Sequence, residues 1–379
     1  MFLNKEVIVM KKKKVLFTSS VLGHITTFHT PYLKMFKDNN WRTYVFTKKT
    51  VNSIGELKFC DKFYNEQIER KPLSLMNIRA IKKLNKIIDD EKFDIIHCHT
   101  PMGAVITRIA AKKARKKYGT RVIYTAHGFH FYKGAPRKNW LIFYPIEKYL
   151  SKHTDTLITI NKEDYELVRT HFNKRCKDIQ YVPGVGIDTS KFNIALSNKE
   201  KIKIKNSIGL KENDFVLACV ARMDKNKNQI FLLECMKEII KKNNTIHLLL
   251  IGPDELNGYY QSQAKYYNIE KNIHFLGKRD DISRILQIVN IVVSASKREG
   301  LPVNVMEALA SNIPVVALNC RGMQDLITNG KNGYIVSTKE EFIDKIFLIK
   351  DKNTLKEVKL DQKFTISSVE KQMKEIYKL

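Results

Sequence analysis

The sequence predicts an α/β chain made of two doubly wound, Rossmann-like domains, each built on a parallel sheet. Three observations point there. Short β-branched runs alternate with longer amphipathic stretches along the whole chain, the pattern of βαβ units. The strand-like runs are almost wholly apolar, as expected when helices cover both faces of a sheet. The alternation is broken once, near the middle, by the turn residues Pro183-Gly184-Val185-Gly186 and the polar stretch 197–207.

In the first half, strands are expected at 15–19, 43–46, 94–98, 122–125, 156–160 and 179–182. In the second half they are expected at 215–221, 247–251, 273–276, 291–294, 315–318 and 334–336. Helix-like segments lie between most of them, at 32–37, 73–89, 104–117, 162–172, 229–241, 282–287 and 303–310. The mid-chain break sets the domains at 1–190 and 191–363. The start superficially resembles a signal peptide, with lysines at 11–14 before the apolar piece 15–17. That piece is short, is broken by Thr18, Ser19 and Ser20, and lacks a small-residue cleavage site, so a first strand is the better reading. Met10 is a candidate true start, leaving 1–9 as a poorly ordered tail.

Among 379 residues, 43% are hydrophobic and 28% charged, and no apolar run approaches the ~18–20 residues of a membrane span. Disordered, coiled-coil and collagen-like fibrous classes are thereby excluded. Lys and Arg number 67 against 39 Asp and Glu, a net charge of +28. That surplus favours polyanionic partners: nucleic acid, an anionic membrane face or phosphorylated ligands. Compositional drift in a chain rich in Lys, Asn and Ile explains it equally well. The six cysteines are scattered and form no CxxC pair, which fits free thiols in a reducing cytoplasm and no zinc knuckle.

Ligands of open α/β sheets bind at the carboxyl ends of the strands. Two strand-end clusters, one per domain, suggest a cleft. The segment Ser296-Lys297-Arg298-Glu299-Gly300-Leu301-Pro302 leads into the helix-like 303–310. Pro302 suits a helix start, Gly300 permits close backbone approach, and the free amides there favour an anion such as phosphate. Glu299 and Glu307, as ionised carboxylates, suit the hydroxyls of ribose and sugar rings. Against that, Asn304, Glu307 and Ser311 share one helical stripe that could simply face water. Arg222 and Lys227 follow a buried-looking strand and could neutralise a diphosphate, although Lys227 alone reads as part of a solvated turn.

The histidine pairs His24/His29, His97/His99 and His127/His130 invite a metal reading, but they lack Asp or Glu partners at metal-like spacing, so non-metal roles are favoured. His97 and His127 both end strands and could meet. No Asp-x-Asp, GxGxxG or Walker loop occurs, which argues against a metal-bound nucleotide-sugar site, a dinucleotide enzyme and a P-loop NTPase. The stretch 129–150 is aromatic and basic; with Lys112, Lys113, Arg115, Lys116 and Lys117 it is either a membrane-facing surface or a core helix with a wet edge.

Taken together these motifs resemble the family 4 retaining glycosyltransferases of the GT-B fold. The resemblance rests on the E-x7-E spacing of Glu299 and Glu307, on Val220-Ala221-Arg222-Met223 with Lys227, on Asn329-Gly330-Lys331-Asn332-Gly333-Tyr334, and on Gly184-Val185-Gly186-Ile187-Asp188 with Phe192. The segments Asp94-Ile95-Ile96-His97-Cys98-His99-Thr100 and Tyr124-Thr125-Ala126-His127-Gly128-Phe129-His130-Phe131 are similar to a subgroup from Gram-positive exopolysaccharide and capsule clusters. The resemblance implies that Glu299 contacts the donor sugar hydroxyls with the Gly300 and Leu301 amides, that Glu307 binds ribose, and that Arg222 and Lys227 hold the diphosphate. His127 is implied beside the donor sugar, and Gly23 in a first-domain loop facing the donor. A final helix, 364–379, is implied to cross back to the first domain.

The expected activity is a cytoplasmic, peripheral, metal-independent transfer of a hexose or N-acetylhexosamine, from a nucleotide sugar of UDP type to a polyprenyl-diphosphate-linked saccharide. No cofactor, metal or nucleic-acid partner is expected, and an anionic membrane surface is. The rivals are another GT-B activity such as a nucleotide-sugar epimerase, and a basic nucleic-acid-binding protein.

Overall fold

The computed structural model describes residues 12–50, 56–69, 71–72, 74–176, 178–352 and 355–379; the candidate start at Met10 and the tail 1–9 lie outside the described residues. The chain divides into two compact units, Met1–Val185 with Glu370–Leu379, and Gly186–Val369. The sequence placed these limits at 190/191 and 363/364.

The first unit is a seven-stranded parallel sheet. Its strands are β1 (Lys14–Thr18), β2 (Arg42–Thr47), β3 (Lys62–Asn65), β4 (Ile95–His99), β5 (Arg121–Ala126), β6 (Thr156–Thr159) and β7 (Asp178–Tyr181). The spatial order β3-β2-β1-β4-β5-β6-β7 runs outward from β1 and then reverses, so the switch in direction falls between β1 and β4, where Phe17 pairs with His97. The second unit is a six-stranded parallel sheet of β8 (Phe215–Val220), β9 (Ile246–Ile251), β10 (Ile273–Gly277), β11 (Ile291–Ser294), β12 (Val315–Leu318) and β13 (Gly333–Val336). Its order β10-β9-β8-β11-β12-β13 reverses between β8 and β11. Those two junctions are where a doubly wound sheet opens a crevice for ligand.

The central strands are near-continuous Val, Ile and Leu because helices pack on both faces. On one face of the first sheet Leu16, Phe46, Ile96 and Val122 are buried against Leu84 and Ile88. On the other, Tyr124 and Leu157 are buried with Phe129, Phe131, Val168 and Phe172. In the second unit Leu217, Leu248 and Val293 pack on Leu232, Met236 and Phe342.

Several elements differ from the expectation. The sequence missed β3, a short edge strand of mixed polarity. The expected helix 104–117 is two, Pro101–Ala110 and Lys112–Lys117. The polar stretch 197–207 is no linker but a helix, Asn198–Ser207, started by a capping box in which Ser197 and Glu200 bond each other's amides. The helix Arg137–Ser151 carries Pro145 inside it, which breaks the pattern that announces a helix. Helices Leu22–Phe28, Tyr259–Tyr266 and Lys339–Lys352 were also unforeseen, whereas the expected closing helix at 364–379 is present as Ile366–Tyr377.

The end of the last helix is tied into the first unit. Tyr377 donates or accepts at His97 Nδ1 (2.7 Å), Arg121 Nη1 donates to the Ile376 carbonyl (2.6 Å), and Gln372 Nε2 donates to the Tyr181 carbonyl (2.7 Å). At the chain's exit from the first unit, Gly186 has φ +72°, and a Cβ there would sit 2.6 Å from the Ile366 Cα, so only glycine lets those segments pass.

Candidate active site

The second unit presents its candidate residues at the junction of β8 and β11. After β8 the chain turns through Arg222 to Asn228. The Asp224 carboxylate accepts the amides of Asn226 (2.9 Å) and Lys227 (2.8 Å), an Asx turn that fixes the course of the loop. Asn226 then bonds the loop after β11: its carbonyl accepts the Lys297 amide (2.8 Å), and its Nδ2 donates to the Arg298 carbonyl (3.0 Å). This lacing brings Lys227 Nζ to Glu299 Oε1 at 2.6 Å, with both side chains mostly out of solvent. Lys227 is therefore no solvated turn residue. Arg222 stands apart: it is exposed, and its guanidinium pairs with Glu255 (2.7 Å) and Asp224 (3.5 Å).

Gly300 and Leu301 lead to Pro302 and the helix Val303–Ala310. Among the described residues, the Gly300 and Leu301 amides donate to no acceptor. Behind them Gly322, at φ +83°, sits so close that a Cβ would lie 2.3 Å from the Gly300 carbonyl oxygen. The helix itself does not carry a solvated stripe. Asn304 Nδ2 donates to the Val220 carbonyl at the end of β8 (2.9 Å), and the Ser311 hydroxyl is buried. Glu307 is half-buried, and no hydrogen bond or ion pair holds its carboxylate among the described residues; burial pushes its pKa up to about 7.

In the first unit Gly23 is not in a loop. The turn after β1 closes early, with the Leu22 amide donating to the Lys48 carbonyl (2.9 Å), and Gly23 lies in the first turn of the helix Leu22–Phe28. His127 follows β5 and meets histidines from two other elements. Its Nε2 lies 3.1 Å from His24 Nε2 and 3.3 Å from His99 Nδ1, and His29 Nε2 lies 3.2 Å from His24 Nε2. Sequence pairing by proximity missed this group. Strand alternation puts His97 and His99 on one face, but His97 is used elsewhere, by Tyr377 and by Thr125 Oγ1 (2.8 Å). His130 stacks on Phe143. Burial holds His24 down to about 4 and His97 to about 3, and pushes His29, His99 and His127 well below the usual imidazole range.

The aromatic stretch 129–150 divides. Phe129 and Phe131 are core residues, and Trp140, Phe143 and Tyr144 pack against them, with Trp140 Nε1 bonded to the Tyr132 carbonyl (3.2 Å). The helix Arg137–Ser151 instead exposes Leu141, Ile142, Ile146 and Tyr149. Beside it Lys112, Lys113, Lys116 and Lys117 are exposed, whereas Arg115 is tied to Asp155 and to the Lys152 carbonyl (2.9 Å). No described helix is long and apolar enough to cross a membrane.

Comparison with known proteins places these features. Residues 14–161 match the glycosyl transferase 4-like family, and residues 200–365 match glycosyl transferases group 1. The chain is 38% identical over 325 residues to the putative glycosyltransferase EpsD of Bacillus subtilis, covering 86% of this chain and 83% of that one. It is 30% identical over 287 residues to an Escherichia coli protein named UDP-Gal:alpha-D-GlcNAc-diphosphoundecaprenol alpha-1,3-galactosyltransferase, covering 74% of this chain and 72% of the other. In fold it is similar to Anabaena Alr3699/HepE, solved in complex with UDP and glucose, with a TM-score of 0.73 at 18% identity over 97% of this chain and 99% of that one. The two parallel-sheet units are those of the GT-B fold, and the chain belongs to the group 1, family 4-type glycosyltransferases.

Proposed function

We propose that the protein is a retaining transferase that moves a hexose or N-acetylhexosamine from a UDP-sugar to a polyprenyl-diphosphate-linked saccharide in exopolysaccharide or capsule synthesis. The observation that carries this is the Lys227–Glu299 pair at the β8/β11 junction, beside the undonated Gly300 and Leu301 amides. The name of the Escherichia coli relative, with its UDP-sugar donor and prenyl-diphosphate acceptor, supports the substrate classes.

The roles follow from charge. Glu299 can only accept hydrogen bonds when ionised, so sugar hydroxyls donate to it while Lys227 transfers its charge to the diphosphate. Arg222, the Gly300 and Leu301 amides and Lys227 together stabilise the negative charge that develops on the leaving diphosphate, and no divalent cation is needed there. The acceptor hydroxyl attacks the face from which the diphosphate departs. Following the family resemblance, Gly23 and His127 of the first unit contact the donor sugar, His127 through Nδ1 because its Nε2 is taken up by other histidines. Glu307 takes the ribose: a half-buried carboxylate without a partner is costly alone and is relieved by two donating hydroxyls.

Glu299→Ala is expected to lower kcat/KM by about 10- to 100-fold or more, since a charge-assisted bond is worth on the order of 1.5–3 kcal/mol. Arg222→Ala slows turnover strongly. Transfer persists when magnesium and manganese are withheld; a requirement for either, read by product formation, counts against Arg222 and Lys227 as the diphosphate's counter-charges.

Glu307 links binding to stability. Its folded pKa of about 7 lies above the unfolded carboxyl value, so the folded state loses stability as pH rises from roughly 4.5 to 7. Glu307→Gln removes that loss. The variant is expected to be more stable than wild type by on the order of 1–3 kcal/mol at pH 8 in urea unfolding, with the difference vanishing near pH 4, and to bind UDP more weakly. Equal stability at both pH values together with unchanged UDP affinity contradicts the assignment.

The first unit also reads as docking on an anionic membrane face to reach the lipid-linked acceptor. Leu141, Ile142 and Tyr149 are the exposed apolar contacts, in place of the packed Trp140, and Lys112, Lys113, Lys116 and Lys117 supply the charge. Each nearby lysine adds about 1 kcal/mol of attraction, weakened by salt. In liposome co-sedimentation, binding is expected to need anionic lipid, to fall with salt, and to drop when those four lysines are neutralised or Leu141 and Ile142 become serine. Equal sedimentation with neutral and anionic liposomes, or none with either, sinks the docking idea and leaves the transferase reading standing.

A further inference from the structure

Among the described residues, four imidazoles of the first unit converge on one another. His24 comes from the helix Leu22–Phe28, His29 caps it, His99 ends β4, and His127 follows β5. One ring nitrogen from each lies within 4.8 Å of the other three. The three shortest separations are 3.1, 3.2 and 3.3 Å.

Hydrogen bonds among these rings do not account for the arrangement. The short contacts form a chain, His29 Nε2 to His24 Nε2 to His127 Nε2 to His99 Nδ1. A neutral ring nitrogen has either one N–H or one in-plane lone pair. Such a chain of four holds at most two N–H···N bonds, at its ends, so the central His24–His127 contact is then left unbonded. His29 Nδ1 and His99 Nε2 are buried without partners in any arrangement, so they do not distinguish the alternatives.

A cation at the centre satisfies all four nitrogens at once. Zinc–imidazole bonds of about 2.0–2.1 Å in a tetrahedron place ligand nitrogens about 3.3–3.4 Å apart. The three short edges already have nearly that length; the His29 and His99 rings, stacked with centroids 3.7 Å apart, must turn out of that stack for both to reach one ion. Two of the ligands sit at the carboxyl ends of adjacent strands, paired Cys98 to Tyr124 and His99 to Thr125, so the backbone that carries them is rigid. An all-imidazole donor set suits zinc, nickel, copper or cobalt and disfavours magnesium and manganese, which prefer oxygen.

We propose that His24, His29, His99 and His127 form a tetrahedral binding site for a divalent transition-metal ion of the zinc type. The ion ties the helix after β1 to the ends of β4 and β5. It also fixes the tautomer of His127: with Nε2 on the metal, the proton resides on Nδ1, which makes that ring a donor at its other edge. All four ligands belong to the first unit, and metal binding is read without the transfer reaction; His127 is the one residue shared with the donor contact proposed above.

The test uses the full chain purified without a histidine tag, stripped with a chelator and titrated with zinc sulfate or cobalt(II) chloride. We expect binding of one ion per chain, the intense visible d–d bands of four-coordinate cobalt(II), and a zinc-dependent rise in the unfolding midpoint. His24→Gln and His99→Gln, each verified as folded by circular dichroism, are expected to lose affinity by about 100-fold or more, since even outer-shell losses cost 10–100-fold. His130→Gln, outside the cluster, keeps it. A folded wild type that binds no stoichiometric zinc and gives no cobalt spectrum overturns the proposal. So does metal binding that neither His24→Gln nor His99→Gln weakens, which places the ion elsewhere. If both variants unfold, the cobalt spectrum and stoichiometry of the wild type alone decide.

Discussion

Every paired strand in both sheets is parallel, and each sheet reverses its order once. From those two constraints most of the functional geometry follows. Parallel strands deliver all their carboxyl ends to one edge, and the reversal parts two neighbouring connections there. In the second unit the reversal lies between β8 and β11, and the residues that follow those strands include Arg222, Lys227 and Glu299. In the first it lies between β1 and β4, and the residues around it include His24, His29 and His99. The chemistry is concentrated where the topology leaves room for it.

The second unit's site is organised by charges that satisfy one another until a ligand arrives. Lys227 and Glu299 are mostly buried, so leaving either unpaired is costly, and each holds the other in place. In the proposed reading a phosphorylated sugar offers both a better partner: oxygens for the lysine, hydroxyls for the glutamate. Glu307 differs, because among the described residues it has no partner to exchange, and it carries its desolvation as a raised pKa. If Glu307 takes the ribose as proposed, the unit gives up stability at one carboxylate to keep a binding group poised.

Much of this was legible in the sequence. Twelve strands were readable because buried parallel strands are continuous apolar runs, and the segment from Ser296 to Glu307 announced itself through Gly300, Pro302 and its spaced carboxylates. The thirteenth strand, Lys62–Asn65, was not, because an edge strand need not be apolar. Over 129–150 a helix was one of two open readings, and Pro145 with a dense aromatic content that period alone cannot sort into core and surface left its bounds and its buried face undecided. The Lys227–Glu299 pair joins residues 72 apart, and the histidine group joins residues up to 103 apart; neither separation carries a local signal. Gly23 was misplaced because a single glycine does not say whether a loop has already become a helix.

The most direct measurement of the central claim is nucleotide release from a panel of UDP-, GDP- and ADP-sugars, with and without a prenyl-diphosphate-linked saccharide. The account predicts release of UDP from a UDP-hexose or UDP-N-acetylhexosamine that depends on the acceptor and retains the donor's anomeric configuration in the product. Absence of release from every nucleotide sugar by folded protein, or a product of inverted configuration, would contradict it.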